Sequence, residues 1–191
     1  MSGFSFKVLM VCSGNICRSP IAEQLLRAKT AGQLVVVSSA GVIARDGVAM
    51  TEEAALVSRA YGGEPGEHRA RLLTEALLQQ ADLVLTATRA HRGSVVKLLP
   101  RMSRKAFTIS EFARLVNGVP PPDWGSISDA SALVDVARSL RGFVPPPEEP
   151  EDDDIEDPFR QPLDVYEAVG ARLDTEIAVI ANGLRLRGTN P

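Results

Sequence analysis

Lys7-Val8-Leu9-Met10-Val11-Cys12-Ser13-Gly14-Asn15-Ile16-Cys17-Arg18-Ser19-Pro20 is the stretch that decides the fold. Its first half is a short apolar run closed by Ser-Gly-Asn, the pattern of a strand buried on both faces. Ser19-Pro20 then predicts a helix start, with serine as N-cap and proline at the first helical position. Ile21, Ala22, Leu25 and Leu26 continue it as an apolar stripe at helical spacing. A strand, a glycine-bearing loop and a helix opening on that loop turn backbone N–H groups onto an anion.

Working outward, Gly32 ends the first helix and the β-branched Leu34–Ser38 reads as a second strand. Thr51 to Tyr61, with Glu52 and Glu53 in its first turn, predicts a helix closed by Gly62-Gly63. Thr74 to Gln80 reads as a short helix, Asp82 to Ala87 as a third strand, and Arg89 to Leu98 as a helix ending before Pro100. Ala106 to Ile109 is a short fourth strand. From Leu163 to Leu186, Val165, Val169, Leu173, Ile177 and Ile180 form one helical stripe. Strands alternating with helices predict βαβ units and an α/β fold, a parallel sheet with helices on both faces. Cys12 then falls at the carboxyl end of the first strand, where open α/β sheets place their ligands.

Residues 116 to 156 depart from this pattern. They carry Pro120-Pro121-Pro122, a possible amphipathic helix from Ser126 to Arg141, Pro145-Pro146-Pro147 and an acid run. The flanks are expected to be polyproline arms and a solvated tail. The whole segment reads either as a cap or partner-binding element or as a tolerated surface excursion.

A chain of 191 residues with 45% hydrophobic and 24% charged residues fits one domain spanning 1–191. Eight acids between Glu148 and Asp157 dominate the net charge of −3, leaving a mildly basic remainder that could attract a phosphorylated ligand. That remainder is scattered and lacks stacking aromatics, which argues against nucleic acid. No apolar run approaches the roughly 18 residues of a membrane span. Met1 to Lys7 lacks the features of a signal peptide. Two cysteines five apart make no secreted disulfide framework, so a reducing cytoplasm is expected. His68 and His91 read as surface residues near helix ends, and no metal-ligand spacing accompanies them.

The chemistry concentrates in Cys12 to Ser19. A thiol attacks as thiolate, and the helix N-terminus, the loop amides and Arg18 all favour negative charge there. Gly14 and Asn15 tolerate the positive φ of an anion nest. Arg18 offers a planar fork for two phosphoryl oxygens, and the Ser19 hydroxyl can donate to the sulfur. These features point to phosphate-ester hydrolysis through a cysteinyl-phosphate. The departing oxygen needs a proton, for which Asp157 in Asp157-Pro158-Phe159 is the candidate.

Val11 to Pro20, Ser38-Ser39-Ala40-Gly41, Ala81 to Thr86 and Asp157-Pro158-Phe159 together resemble the low-molecular-weight protein-tyrosine-phosphatase family. The resemblance implies a three-layer sandwich around a four-stranded parallel sheet, with the phosphate-binding loop after strand one. It implies Cys12 as nucleophile, Arg18 as phosphate clamp, and Asp157 as proton donor and then base. Ser13, Gly14, Asn15, Ile16, Cys17 and Ser19 complete the loop, and no metal or other cofactor is implied. Cys17 matches a family position that can trap an oxidised nucleophile as a disulfide; it reads equally as a small loop-filling residue.

Family members that act on phosphotyrosine usually carry an aromatic a few positions after the Ser-Ala-Gly segment, where this chain has Gly41-Val42-Ile43-Ala44. The slot would then be walled by Phe159 and aliphatic Val42. The expected substrate is a phosphorylated protein, on tyrosine, or a small aryl phosphate. Two alternatives stand beside it: an arsenate reductase using an external low-molecular-weight thiol, and a non-catalytic phosphate sensor.

Overall fold

The computed structural model describes residues 5–120 and 123–185, so Met1 to Phe4, Pro121, Pro122 and the predicted helix end at Leu186 lie outside them. In chain order the helices are α1 (Arg18–Lys29), α2 (Glu52–Ala60), α3 (Glu75–Gln80), α4 (Arg89–Leu98), α5 (Ile109–Asn117), α6 (Ala130–Ser139) and α7 (Leu163–Leu184). The strands β1 (Phe6–Cys12), β2 (Val35–Gly41), β3 (Leu83–Thr86) and β4 (Ala106–Thr108) form one parallel sheet in the order β2-β1-β3-β4. Register places Cys12 beside Gly41 and Val11 beside Thr86.

The two-residue period of β1 divides the interior. Val8, Met10 and Cys12 join Leu83, Leu85 and Phe107 in one buried layer, closed by α1, α2, α5, α6 and α7. Leu9 and Val11 join Val84 and Ala106 in the other, closed by Leu78 of α3 and Val95 of α4. The result is the three-layer α/β sandwich.

One helix lacks a counterpart among the sequence expectations. α5 follows β4 without a loop, because the Thr108 hydroxyl accepts from Glu111 N–H while the Glu111 carboxylate accepts from Thr108 N–H. This capping box, followed by apolar Ile109, Phe112, Leu115 and Val116, is a helix start written in the sequence.

The segment 116–156 also differs from expectation. α6 starts at Asp129, whose carboxylate caps Ala132 N–H, and it buries Leu133, Val134 and Ala137 in the main core. A methyl added at Gly183 of α7 would lie 2.9 Å from Val116 and 3.1 Å from Leu133, so α7 is approached closely here. Arg141 lies 3.9 Å above the Phe107 ring and pairs with Glu111 at 2.8 Å. The middle of this segment is therefore core and not a surface excursion.

The acid run is not a solvated tail either. Arg89 pairs with Glu151 and Asp154, Arg114 pairs with Asp153, and Arg172 donates to the carbonyls of Asp152 and Asp154. Ile155 is buried and its N–H donates to Ala87 O at 2.8 Å, hooking the run onto the end of β3. Charge pairing with residues distant in the chain, not pattern, fixes this segment's place.

Candidate active site

Strand order reverses direction between β1 and β3. α1 leaves β1 toward one face and α4 leaves β3 toward the other, which opens a crevice at their carboxyl ends. The chain from Ser13 to Cys17 lines that crevice. Its carbonyls are drawn outward into the scaffold: Ser13 O accepts from Ile43 N–H, Asn15 O lies 2.8 Å from His68 Nε2, and Ile16 O accepts from Thr51 N–H. No carbonyl among the described residues accepts from the N–H groups of Ser13 to Cys17. Turning the carbonyls out leaves the amides facing in, at the N-terminus of a twelve-residue helix.

Asn15 holds the turn. It sits at φ 56, the left-handed region, and its amide nitrogen donates to Ser19 Oγ at 2.9 Å and Ser39 Oγ at 2.8 Å. Its side-chain oxygen accepts from Arg71 N–H. The Ser39 hydroxyl in turn donates a hydrogen bond to Glu23 Oε2 at 2.5 Å. Gly41 is required beneath: a methyl there would stand 2.3 Å from Ser13 O and 2.9 Å from Asn15 N.

Ser19 departs from the predicted cap. α1 begins two residues earlier, at Arg18, with Cys17 as an N-cap that makes no side-chain bond. The Ser19 hydroxyl instead lies 3.0 Å from Cys12 Sγ. A local rule is broken where the loop needs a donor beside the sulfur. Cys12 itself is buried at the end of β1.

Arg18 is buried, and its fork reaches across the loop. Nη1 donates to Ile155 O at 3.1 Å, and Nη2 donates to Ser13 Oγ at 3.2 Å and Asp157 Oδ2 at 2.5 Å. Its Nε has no hydrogen-bond partner among the described residues. Asp157, half-exposed, is brought to the loop's mouth by the anchored acid run. Phe159 beside it is 42% exposed, and its N–H donates to Asp157 Oδ1.

Val42 is placed differently. Its N–H bonds to Cys12 O, but its side chain packs on the second core layer, and the neighbouring Ile43 is the exposed one at 76%. A methyl added at Gly14 would meet only the Ile16 side chain, at 3.4 Å. Cys17 is a free thiol whose sulfur faces Thr51 at 3.7 Å and Tyr166 at 3.8 Å. Burial pushes its pKa up to about 11, outweighing those hydroxyls, so it is a neutral thiol at physiological pH.

The sequence profile of the family described as "Low molecular weight phosphotyrosine protein phosphatase" matches residues 7–141. The chain belongs to this family. Among its relatives, a protein-arginine-phosphatase of Geobacillus stearothermophilus is 32% identical, covering 94% of this chain and 97% of its own length. A probable low molecular weight protein-tyrosine-phosphatase EpsP of Ralstonia solanacearum is 38% identical over 72% of this chain and 93% of that protein. The solved YwlE arginine phosphatase of G. stearothermophilus superposes with a TM-score of 0.72 at 30% identity, covering 97% and 99% of the two chains. A low molecular weight protein tyrosine phosphatase from T. tengcongensis superposes at 0.69 with 32% identity, covering 93% and 99%.

Two histidines of this phosphatase correct the expectation of surface residues. His68 and His91 are both buried against the phosphate loop, His68 on Asn15 O and His91 with Nε2 2.8 Å from Ser13 Oγ. The Thr88 hydroxyl lies 2.7 Å from His91 Nδ1 and also caps α4 by accepting His91 N–H. Burial first, and Arg18 second, push the His91 pKa down to about 4, against the opposing pull of Asp157 and Asp154. Nothing in local spacing marks either histidine, since their partners lie 53 and 78 residues away. No group of three or more potential metal ligands, and no helix long and apolar enough to cross a membrane, occurs among the described residues.

Proposed function

We propose that this phosphatase hydrolyses phosphotyrosine in proteins, or small aryl phosphates, through a phosphorylated Cys12. The observation that carries this reading is Arg18: a buried guanidinium whose Nε lacks a partner among the described residues, standing over a loop of inward amides with Cys12 Sγ at its base. A buried charged donor without an acceptor is costly unless an anion completes it. A tetrahedral phosphoryl group supplies those oxygens and places phosphorus above the sulfur.

In the first step Cys12 thiolate attacks phosphorus. The S–P bond forms, the P–O bond to the leaving group breaks, and Asp157 gives the departing oxygen its proton. In the second step water attacks phosphorus, Asp157 takes its proton, and the S–P electrons return to Cys12 as inorganic phosphate forms. Ser19, 3.0 Å from the sulfur, stabilises the thiolate as it leaves. The Arg18–Asp157 pair holds the carboxyl at the loop mouth until a phosphoryl group takes its place on the guanidinium. Phe159 supplies one wall for an aromatic leaving group, and Ile43, exposed and bonded through its N–H to Ser13 O, is an aliphatic neighbour of the loop. The chain would act as a single domain in a reducing compartment.

A second reading, a phosphoarginine substrate, is favoured by the arginine-phosphatase relative aligned over nearly the whole chain. The family profile and these relatives are phosphatases, which leaves arsenate reduction and a purely sensing role without support. The deciding experiment is turnover of matched phosphotyrosine, phosphoarginine and phosphoserine peptides, with Cys12→Ser as control. Preference for phosphotyrosine supports the first reading and preference for phosphoarginine the second. Absence of turnover for all three, with thiol-dependent arsenate reduction intact, would refute both.

A further inference from the structure

Hydrogen-bond accounting around Ser13 shows a residue that the phosphatase mechanism above does not use. Arg18 Nη2 donates to Ser13 Oγ, so one oxygen lone pair is committed. The hydroxyl proton needs an acceptor, yet its surroundings are rich in donors: the guanidinium of Arg18 and the inward loop amides. His91 Nε2, 2.8 Å away, is the ring atom that can take it. That assignment puts the ring proton on Nδ1, directed at Thr88 Oγ1 at 2.7 Å. Thr88 Oγ1 then accepts from both His91 Nδ1–H and His91 N–H, and Thr88 is half-buried, so its own hydroxyl proton can turn toward solvent. The opposite tautomer would leave the Ser13 proton among donors.

We propose that His91 is a positioning residue for the phosphate loop: its neutral imidazole accepts the Ser13 hydroxyl hydrogen bond on Nε2 and so holds a Ser13 lone pair on Arg18. The chain of donors runs Arg18 Nη2 to Ser13 Oγ, Ser13 Oγ to His91 Nε2, and His91 Nδ1 to Thr88 Oγ1. It aligns the guanidinium from the α4 side, opposite its anchor on Ile155 O. The charged groups facing the ring are Arg18 from α1 and Asp154 and Asp157 from the acid run. Arg18 disfavours an imidazolium there, and the two carboxylates are engaged by Arg89 and Arg18.

This inference rests on the phosphatase reading only for its kinetic readout, so binding of inorganic phosphate is measured in parallel. His91→Ala should weaken phosphate affinity and lower kcat/KM for p-nitrophenyl phosphate by about tenfold, the scale of one hydrogen bond to a charged group. His91→Gln, whose carbonyl oxygen can accept from Ser13, should recover most of that loss. In a Ser13→Ala background, His91→Ala should cost less than twofold, because its partner is gone. Nitrogen-15 NMR of the wild-type protein at neutral pH should show Nε2 unprotonated and Nδ1 protonated. An Nε2–H tautomer, or a full His91→Ala loss persisting without the Ser13 hydroxyl, overturns the proposal. If wild-type protein binds phosphate but turns over no ester, the phosphatase reading fails while the NMR and binding arms still decide the role of His91.

Discussion

Mild acid should destabilise this protein through His91 in particular. The imidazole has a folded pKa of about 4 against an ordinary 6.5, with burial as the main cause and Arg18 as the second. Between those values the unfolded chain takes up a proton that the folded chain does not, so stability falls as pH falls. The contribution is fully present above the unfolded value and is lost by the time pH drops through the folded one. A gap of two and a half pH units corresponds to about 3 kcal/mol in all, and about 2 kcal/mol of it is lost by pH 5. Burial alone would raise the Asp154 carboxyl, but its hydrogen bonds to Arg89 outweigh that and hold it below the usual carboxylate range, so it titrates further down the acid range. The assay is urea unfolding at pH 7 and pH 5 for the wild type and His91→Gln. The wild type should lose about 2 kcal/mol more than the variant across that interval. Equal losses in the two proteins would refute the buried, neutral imidazole.

Gly41→Ala forces a methyl against Ser13 O and Asn15 N, so it should cut kcat/KM by about two orders of magnitude through a displaced loop; near-normal kinetics on p-nitrophenyl phosphate would mean the loop is not held from below. Leu133→Ala removes a fully buried side chain of α6 and should cost about 2–5 kcal/mol in chemical denaturation. A loss under about 1 kcal/mol would return that helix to the surface. Asp157→Asn should slow phenyl phosphate by roughly 10²–10⁴ while sparing p-nitrophenyl phosphate, whose leaving group needs no proton. Equal slowing of both esters would remove Asp157 from the acid role.

How far the sequence reaches can be judged residue by residue. The strand of Lys7 to Cys12, the helix after it and the alternation that follows were legible because each is encoded by neighbours within one turn or one pleat. α5 was also encoded, by the Thr108–Glu111 box, but its apolar run directly after β4 hid the boundary. The Ser-Pro start of α1 misled by two residues, because Ser19 bonds to Cys12 and not to its own helix. The acid run gave a correct charge and a wrong place: only the folded chain brings Arg89, Arg114 and Arg172 against it.

By itself, then, the sequence determined the layer architecture and the loop from Cys12 to Ser19, including its cysteine and its guanidinium, since these are contiguous and set by local backbone preference. The tertiary structure alone decided what surrounds that loop. The ion pair of Asp157 with Arg18, the seating of His68 and His91 behind the loop, and the burial of α6 join residues dozens of positions apart. Such contacts arise from packing two layers on one sheet and from pairing buried charge, and neither leaves a periodicity in the chain.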